Sequence, residues 1–559
     1  MKRISLLFVF YIIVSHIVAQ TPWAKKAYNA VFTLKTFTAD GSLKTSSNGF
    51  FVSEQGVAVA CYTPFVGASK ATVIDASGKE YEVREILGAN EMYDVVKFKV
   101  DIKKANALPL ATDKAAEGST LWLLPYSVKK APVCSSGKVA KAELFDSTAN
   151  YNYYTLDLTV NEQQTGCPLL NDEGQVVGLL QPTGNSTSNQ CYAVSALFAA
   201  GLQLGGLYLN DASLRKIDIA KGIPDKQEDA VLALFLASNS LDSLHFADML
   251  ERFIVKFPQL PDGYVTRARF LAANNRCAEA DDDFHHALKV SEHKDETYYQ
   301  YAQLIFQKVV YQPEPAYAPW TLDHALEEAR HAWEQNQLSV YQEQQAQILY
   351  AQQKYEDAYN IYEGLLKSDR HNAETFYAAA QCKRAAGDQE AGLALLDSAV
   401  NTFSRPYLRA AAPYILARAQ AFHQAGKYRP AVLDFNEYAN LMVGKLTAEF
   451  YYMREQSAFA GHLYQQALDD IRRAVEMKPD DPDFLAEKAL VELRAGLIDD
   501  MMQTAERCIA VAPRSADAYM FLGIAQCMKE RKAEGLQNLQ KAKELGNSQA
   551  QSLIDKYSK

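Results

Sequence analysis

Histidine is missing from residues 21–205 of this chain: of ten in the whole sequence, one is His16 and the rest lie beyond 205. Chemistry that relies on an imidazole base near neutral pH is thereby excluded from that stretch. Cysteine is sparse, eight in 559 residues, which rules out a disulfide scaffold. Basic charge is not in excess: 57 Lys and Arg face 67 Asp and Glu, a net charge of −10. That balance argues against a nucleic-acid partner. No stretch after residue 20 reaches the 18 or more apolar residues of a membrane span. There is no glycine-rich phosphate loop and no His-Glu-x-x-His, so neither cofactor nor metal is expected. Asp281, Asp282, Asp283, His285 and His286 read as one solvated helix face rather than a metal site.

What is present begins with a leader. Met1, Lys2 and Arg3 are followed by an apolar run from Leu6 to Val18 and a small residue, Ala19. This pattern reads as a signal peptide over residues 1–20. The mature chain is expected to be exported, to a Gram-negative periplasm or else to the surface or medium, without a membrane span once the signal is removed.

Two composition regimes follow, since 559 residues exceed one hydrophobic core. Residues 21–205 hold short Val- and Thr-rich alternating runs, such as Ala30 to Lys35 and Gln175 to Leu180. Turn signals separate them, among them Asp40-Gly41, Ser77-Gly78 and Thr183-Gly184-Asn185. The spacing predicts an all-β barrel or sandwich. Residues 206–226 read as a linker. From 227 the chain is rich in Ala, Leu, Tyr and Glu with helical periodicity. Residues 21–205 carry 16 basic and 17 acidic side chains, and those after 205 carry 39 and 50, so the acidity belongs to the helical part.

The helical part repeats every 34 residues. Frames begin at Ala448, Pro482 and Ala516, and earlier ones near Ala412, Ala373, Ser339, Asp295, Pro261 and Gln227. The eighth position is small in Ala268, Ala302, Ala346, Ala380, Ala419, Ala489 and Gly523, and the fifteenth is a turn residue in Asn275, Gly387, Gly426 and Gly496. Paired helices approach closely only where side chains are small, and a Gly or Asn permits the tight turn between them. The pattern resembles the tetratricopeptide repeat (TPR) family, with about nine units over 227–549, insertions near 310–320 and 405–411, and a capping helix over 550–559. Glu455, Phe246 and Met501 depart from it by standing where small residues belong. The resemblance implies a solenoid whose concave face binds peptides or proteins. Its first helices nominate Tyr264, Arg267, Tyr298, Tyr301, Tyr377, Arg418, Tyr452 and Arg454 as binding residues, with packing between repeats as the alternative for each.

Three segments of the β part resemble trypsin-like serine proteases, most closely their HtrA/Deg-type branch. Asn48-Gly49-Phe50 through Gly56 to Thr63 matches the strand pair that ends at the catalytic histidine, a position held here by Thr63. Tyr93-Asp94-Val95-Val96-Lys97 places Asp94 at the catalytic aspartate. Asn161 to Asn171, reading Asn-Glu-Gln-Gln-Thr-Gly-Cys-Pro-Leu-Leu-Asn, puts Thr165 at the nucleophilic serine and Gln163 at the oxyanion-hole glycine. The resemblance implies a multidomain fold: an N-terminal trypsin-like double β-barrel followed by an all-α TPR superhelix. The triad is degenerate, because Thr63 cannot take a proton from a hydroxyl near neutral pH. In this fold the segments of Cys61 and Cys191 converge on the region of Cys167. These three are therefore read as a disulfide from Cys167 to one of the others, or as free thiols. As a displaced nucleophile Cys167 would lack a histidine partner. The expected function is an exported protein-interaction scaffold or adaptor with a catalytically inactive protease-like domain. An active serine/threonine-type endopeptidase of unusual mechanism and a chaperone-like binder of unfolded envelope proteins are the alternatives.

Overall fold

The structure, a computed structural model, describes residues 22–146, 151–182 and 189–559. The leader and the 183–185 turn signal lie outside these. The chain divides into two compact units, Met1–Ser291 and Glu292–Lys559.

In the first unit a short helix α1 (Ala24–Ala27) precedes six strands: β1 (Val31–Phe37), β2 (Leu43–Phe51), β3 (Val57–Ala60), β4 (Lys70–Ile74), β5 (Glu80–Asn90) and β6 (Val95–Val100). They close into a barrel in the order β1-β2-β3-β6-β5-β4. A second barrel, β10-β11-β12-β9-β8-β7, is built from β7 (Thr120–Leu123), β8 (Ser135–Asp146), β9 (Tyr151–Asp157), β10 (Pro168–Leu170), β11 (Val176–Leu180) and β12 (Cys191–Ser195). Closure leaves no sheet edge unpaired. The period-two pattern sends Phe32 and Leu34 of β1 inward, fully buried with Phe51 and Phe98, while Val31 and Phe50 face the other way, into the core of the second barrel. Gly49 serves this core: a Cβ there would meet the Phe32 ring at 2.7 Å and the Val59 carbonyl at 2.6 Å.

After α2 (Ala196–Gly201) come residues 206–226, the linker read from the sequence. They include α3 (Ala212–Arg215) and lie along the first barrel. Ile86 N–H donates to Ala220 O and Gly222 N–H to Ile86 O, both at 2.8 Å. Tyr208, Leu214, Ile217, Ile219 and Ile223 bury their side chains in the first barrel's core. That core runs on into α4 (Gln227–Ser240) and α5 (Ser243–Lys256) through Ala230, Leu234, Phe246 and Phe253. A second antiparallel pair, α6 (Pro261–Ala273) and α7 (Cys277–Val290), ends the unit. The compact boundary thus follows Ser291 rather than the change from strand to helix, because isoleucines in the strap join barrel and helices into one apolar core.

The second unit is made of helix pairs: α8 (Lys294–Tyr311) with α9 (Leu322–Gln335), α10 (Ser339–Ala351) with α11 (Tyr355–Leu366), and α12 (Ala373–Ala385) with α13 (Gln389–Asn401). There follow α14 (Ala412–Gln424) with α15 (Tyr428–Leu441), α16 (Ala448–Ala460) with α17 (Tyr464–Met477), α18 (Pro482–Ala495) with α19 (Ile498–Val511), and α20 (Ala516–Met528) with α21 (Lys532–Glu544), before α22 (Ala550–Ser558). Ala302, Ala346, Ala380, Ala419 and Ala489 are fully buried, as helix crossings demand. The insertion near 310 lengthens α8 to 18 residues. The one near 405 forms a connector with a single helical turn at Arg409–Ala411.

Candidate functional site

The site is assembled from the β3 exit, the β5–β6 turn and the loop before β10. Thr63 opens a helical turn, and both its N–H and its hydroxyl donate to Asp94 Oδ1, at 2.6 and 2.7 Å. Asp94 is placed by a left-handed backbone (φ 48°) in the tight β5–β6 turn, and its carbonyl accepts from Tyr62 N–H at 3.1 Å. Thr63 therefore meets Asp94 as a fixed donor. A threonine hydroxyl thus stands on Asp94 at the position where the family resemblance implies a histidine. Asp94 Oδ2 is buried without a hydrogen-bond partner.

The loop that carries Thr165 coils inward. Glu162–Gln164 form a helical turn in which Gln164 N–H donates to Asn161 O at 3.0 Å and Thr165 N–H to Glu162 O at 3.2 Å. In serine hydrolysis the nucleophile's own N–H is one of two donors that hold the oxyanion. Here that donor is satisfied by the loop's own carbonyl. Asn48 holds the loop in place. Its carboxamide donates to Gln163 O at 2.7 Å and Thr165 O at 3.1 Å, and its backbone N–H to Thr165 O at 3.2 Å. Sequence reasoning did not single out Asn48, although the family reads serine there. Gly166 follows with φ +83°, and any Cβ would run into the Asn48 carbonyl.

Cys61, Cys167 and Cys191 are fully buried in one apolar cluster, and the structure holds all three as free thiols rather than the disulfide considered from sequence. Cys61 Sγ points at Leu180 O, 3.6 Å away, and Leu180 N–H donates to Cys167 O at 3.1 Å. Burial pushes the Cys167 and Cys191 thiols up to about 12, and raises the Cys61 thiol well above its ordinary value, with Asp94 beside it adding to the effect. Such burial disfavours the thiolate on which cysteine reactivity depends. Aromatic rings border the site: Tyr93 stacks on Phe145 at 4.2 Å, with Phe198 edge-on at 5.4 Å.

The helical candidates separate into two groups. Three arginines, read from sequence either as peptide contacts or as packing between repeats, are held within their own repeats by forked pairs sixteen residues apart. Arg267 grips Asp283 at 2.8 and 2.7 Å, Arg418 grips Asp434 at 2.7 and 2.8 Å, and Arg454 grips Asp470 at 2.9 and 2.6 Å. The remaining nitrogen of each reaches back to the preceding helix pair, at Glu251, Asp397 and Asn436 respectively. Tyr264 and Tyr301 are buried, against His286 and Trp320, so they too serve packing. Tyr298, Tyr377 and Tyr452 keep half-buried rings, packed on His331, Tyr414 and Phe484. Among the described residues no group of His, Cys, Asp and Glu could hold a metal ion, and no helix is long and apolar enough to cross a membrane.

Residues 47–179 match the family described as the trypsin-like peptidase domain. No curated protein matches the sequence significantly. Among solved structures the chain is similar to a protease from M. tuberculosis in its active form, with 16% identity over 33% of this chain and 86% of that one, TM-score 0.28. It is similar to the serine endoprotease from Yersinia pestis, with 17% identity over 31% of this chain and 61% of that one, TM-score 0.27. It is also similar to YrrB, described as a TPR protein with an unusual peptide-binding site, with 19% identity over 35% of this chain and 97% of that one, TM-score 0.30.

Proposed function

We propose, from the premise that residues 47–179 form a trypsin-like peptidase domain, that this domain is catalytically silent and works beside the helical repeats as a protein-interaction scaffold. The carrying observation is the double loss at the site. Thr63 stands on Asp94 where a base is needed, and Thr165 N–H is bonded to Glu162 O instead of being open to an oxyanion. Removing a triad member leaves only a residual 10³–10⁴-fold catalysis that depends on the oxyanion hole and binding. With the hole's donor engaged, that residual is lost as well. The repeats supply the binding function, and the half-buried Tyr298, Tyr377 and Tyr452 are of the residue type that dominates interfaces. The charged and apolar leader at residues 1–20 supports export, to the periplasm of a Gram-negative cell. The test is hydrolysis of casein and of fluorogenic peptides by the full chain beside a Thr165→Ala variant. Equal, background rates are expected. Cleavage that the substitution abolishes would establish an active endopeptidase instead.

A further inference from the structure

Glu455 breaks the repeat rule at the eighth position of its frame, and the structure shows what the exception does. Its side chain is fully buried, and neither carboxylate oxygen has a hydrogen-bond partner. Burying an unpaired carboxylate is among the most unfavourable arrangements in a protein, so a partner or a proton must neutralise it. Its foremost charged neighbour is another acid, Glu487 of α18, followed by Asp470 of α17. Burial and these two acids push the Glu455 carboxyl up to about 9. Glu487 is half-buried and makes no ion pair or hydrogen bond among the described residues, and burial raises its carboxyl as well.

Among the described residues no basic side chain forms an ion pair with Glu455 or Glu487. Arg454 is held by Asp470 and Asn436. Lys488 lies 3.4 Å from the buried Glu492. Arg494 stands two turns beyond Glu487, at the far end of α18, and α20 contains no basic residue. Tyr452 of α16 packs on Phe484 of α18, 5.0 Å between centroids, so an aromatic contact joins the two helices that carry Glu455 and Glu487.

We infer that the half-buried Glu487, where α18 meets α16, is a receptor for a cationic side chain, a lysine or arginine of an extended partner segment. The cation lies against Glu487, and Glu455 backs it from below. The inference rests on the reading of the repeats as a peptide-binding array and names the chemistry of its partner. A cation at Glu487 favours the ionised form of Glu455, so binding drives a proton from the Glu455 carboxyl into solvent. Binding at this site is therefore linked to proton release.

The experiment uses the full chain and three labelled decapeptides, alternating Ala with Lys, Gln or Glu. Affinities come from fluorescence anisotropy at pH 7 and proton release from titration calorimetry in two buffers of different ionisation enthalpy. The Lys peptide is expected to bind best and to release about one proton. Glu487→Gln should weaken it tenfold or more. Glu455→Gln, which places a neutral amide where a protonated acid stands, should retain most affinity and abolish proton release. Glu506→Gln, exposed on α19, should change neither. Equal loss in Glu487→Gln and Glu506→Gln, or Lys binding without a proton signal that depends on Glu455, overturns the inference. Binding of the Gln or Glu peptide as tightly as the Lys peptide overturns it while sparing the peptide-binding reading. Absence of binding by all three overturns both.

Discussion

Replacing Glu455 with Gln should make the protein more stable at neutral pH, a counterintuitive result for a substitution in a core. The carboxyl titrates near 4.5 when exposed and is pushed up to about 9 in the fold. The folded state therefore holds a proton that the unfolded chain releases. Stability from this group is complete below about pH 4.5 and is lost progressively as the pH rises towards 9. Each pH unit in that window is worth about 1.4 kcal/mol, so roughly 3 kcal/mol is missing at pH 7. Gln cannot ionise in either state. Any penalty from packing its amide is the same at every pH and cancels when the two proteins are compared across pH. Urea denaturation of the wild type and of Glu455→Gln from pH 4.5 to 8, read by far-UV circular dichroism, should show curves that diverge with pH. The gap should be roughly 3 kcal/mol wider at pH 7 than at pH 4.5, or a melting difference larger by roughly 6 °C for a unit of this size. A gap that stays constant across this range would refute the reasoning, because it would mean that Glu455 ionises in the folded protein.

Arg418→Met should destabilise the second unit by about 3–5 kcal/mol in the same denaturation assay, because Asp434, only 12% exposed, loses its forked partner; a loss below about 1 kcal/mol would show the pair to be dispensable. Restoring the family residues with Thr63→His and Thr165→Ser together should not restore casein hydrolysis, since Thr165 N–H stays bonded to Glu162 O and Asn48 still holds the loop; measurable cleavage by the double variant would place the block in the side chains alone. Gly166→Ala should lower stability by at least about 2 kcal/mol in a thermal melt, since φ is +83° and the added Cβ runs into the Asn48 carbonyl; an unchanged melting temperature would contradict the described loop.

Much of the architecture was legible in the order of residues. Alternation in β1 and β9 marks half-buried strands, and the small residues Ala268, Ala302 and Ala489 mark helix crossings because no larger side chain fits there. The exchanges at Thr63 and Thr165 were equally plain. The role of Asn48 was not, because its partners lie 115 and 117 residues away. For the arginines the sequence left binding and packing both open. Arg267, Arg418 and Arg454 stand on first helices, where a binding residue would stand, yet aspartates sixteen residues on claim them. A repeat register places a residue on a helix without saying which way a long side chain turns.

By itself the sequence determined an all-β part followed by a helical one, the repeat period and the absence of histidine from residues 21–205, all properties of local pattern and composition, while the double barrel came from the family resemblance. Only the tertiary structure decided that the strap at 206–226 joins the first helices to the barrel core, that Cys61, Cys167 and Cys191 are buried in one cluster as free thiols, and that Glu455 lies buried under the influence of Glu487. Each of these depends on burial and on partners distant in sequence. The free energy of a charged or polar group is set by what surrounds it, and that environment exists only once the chain has folded.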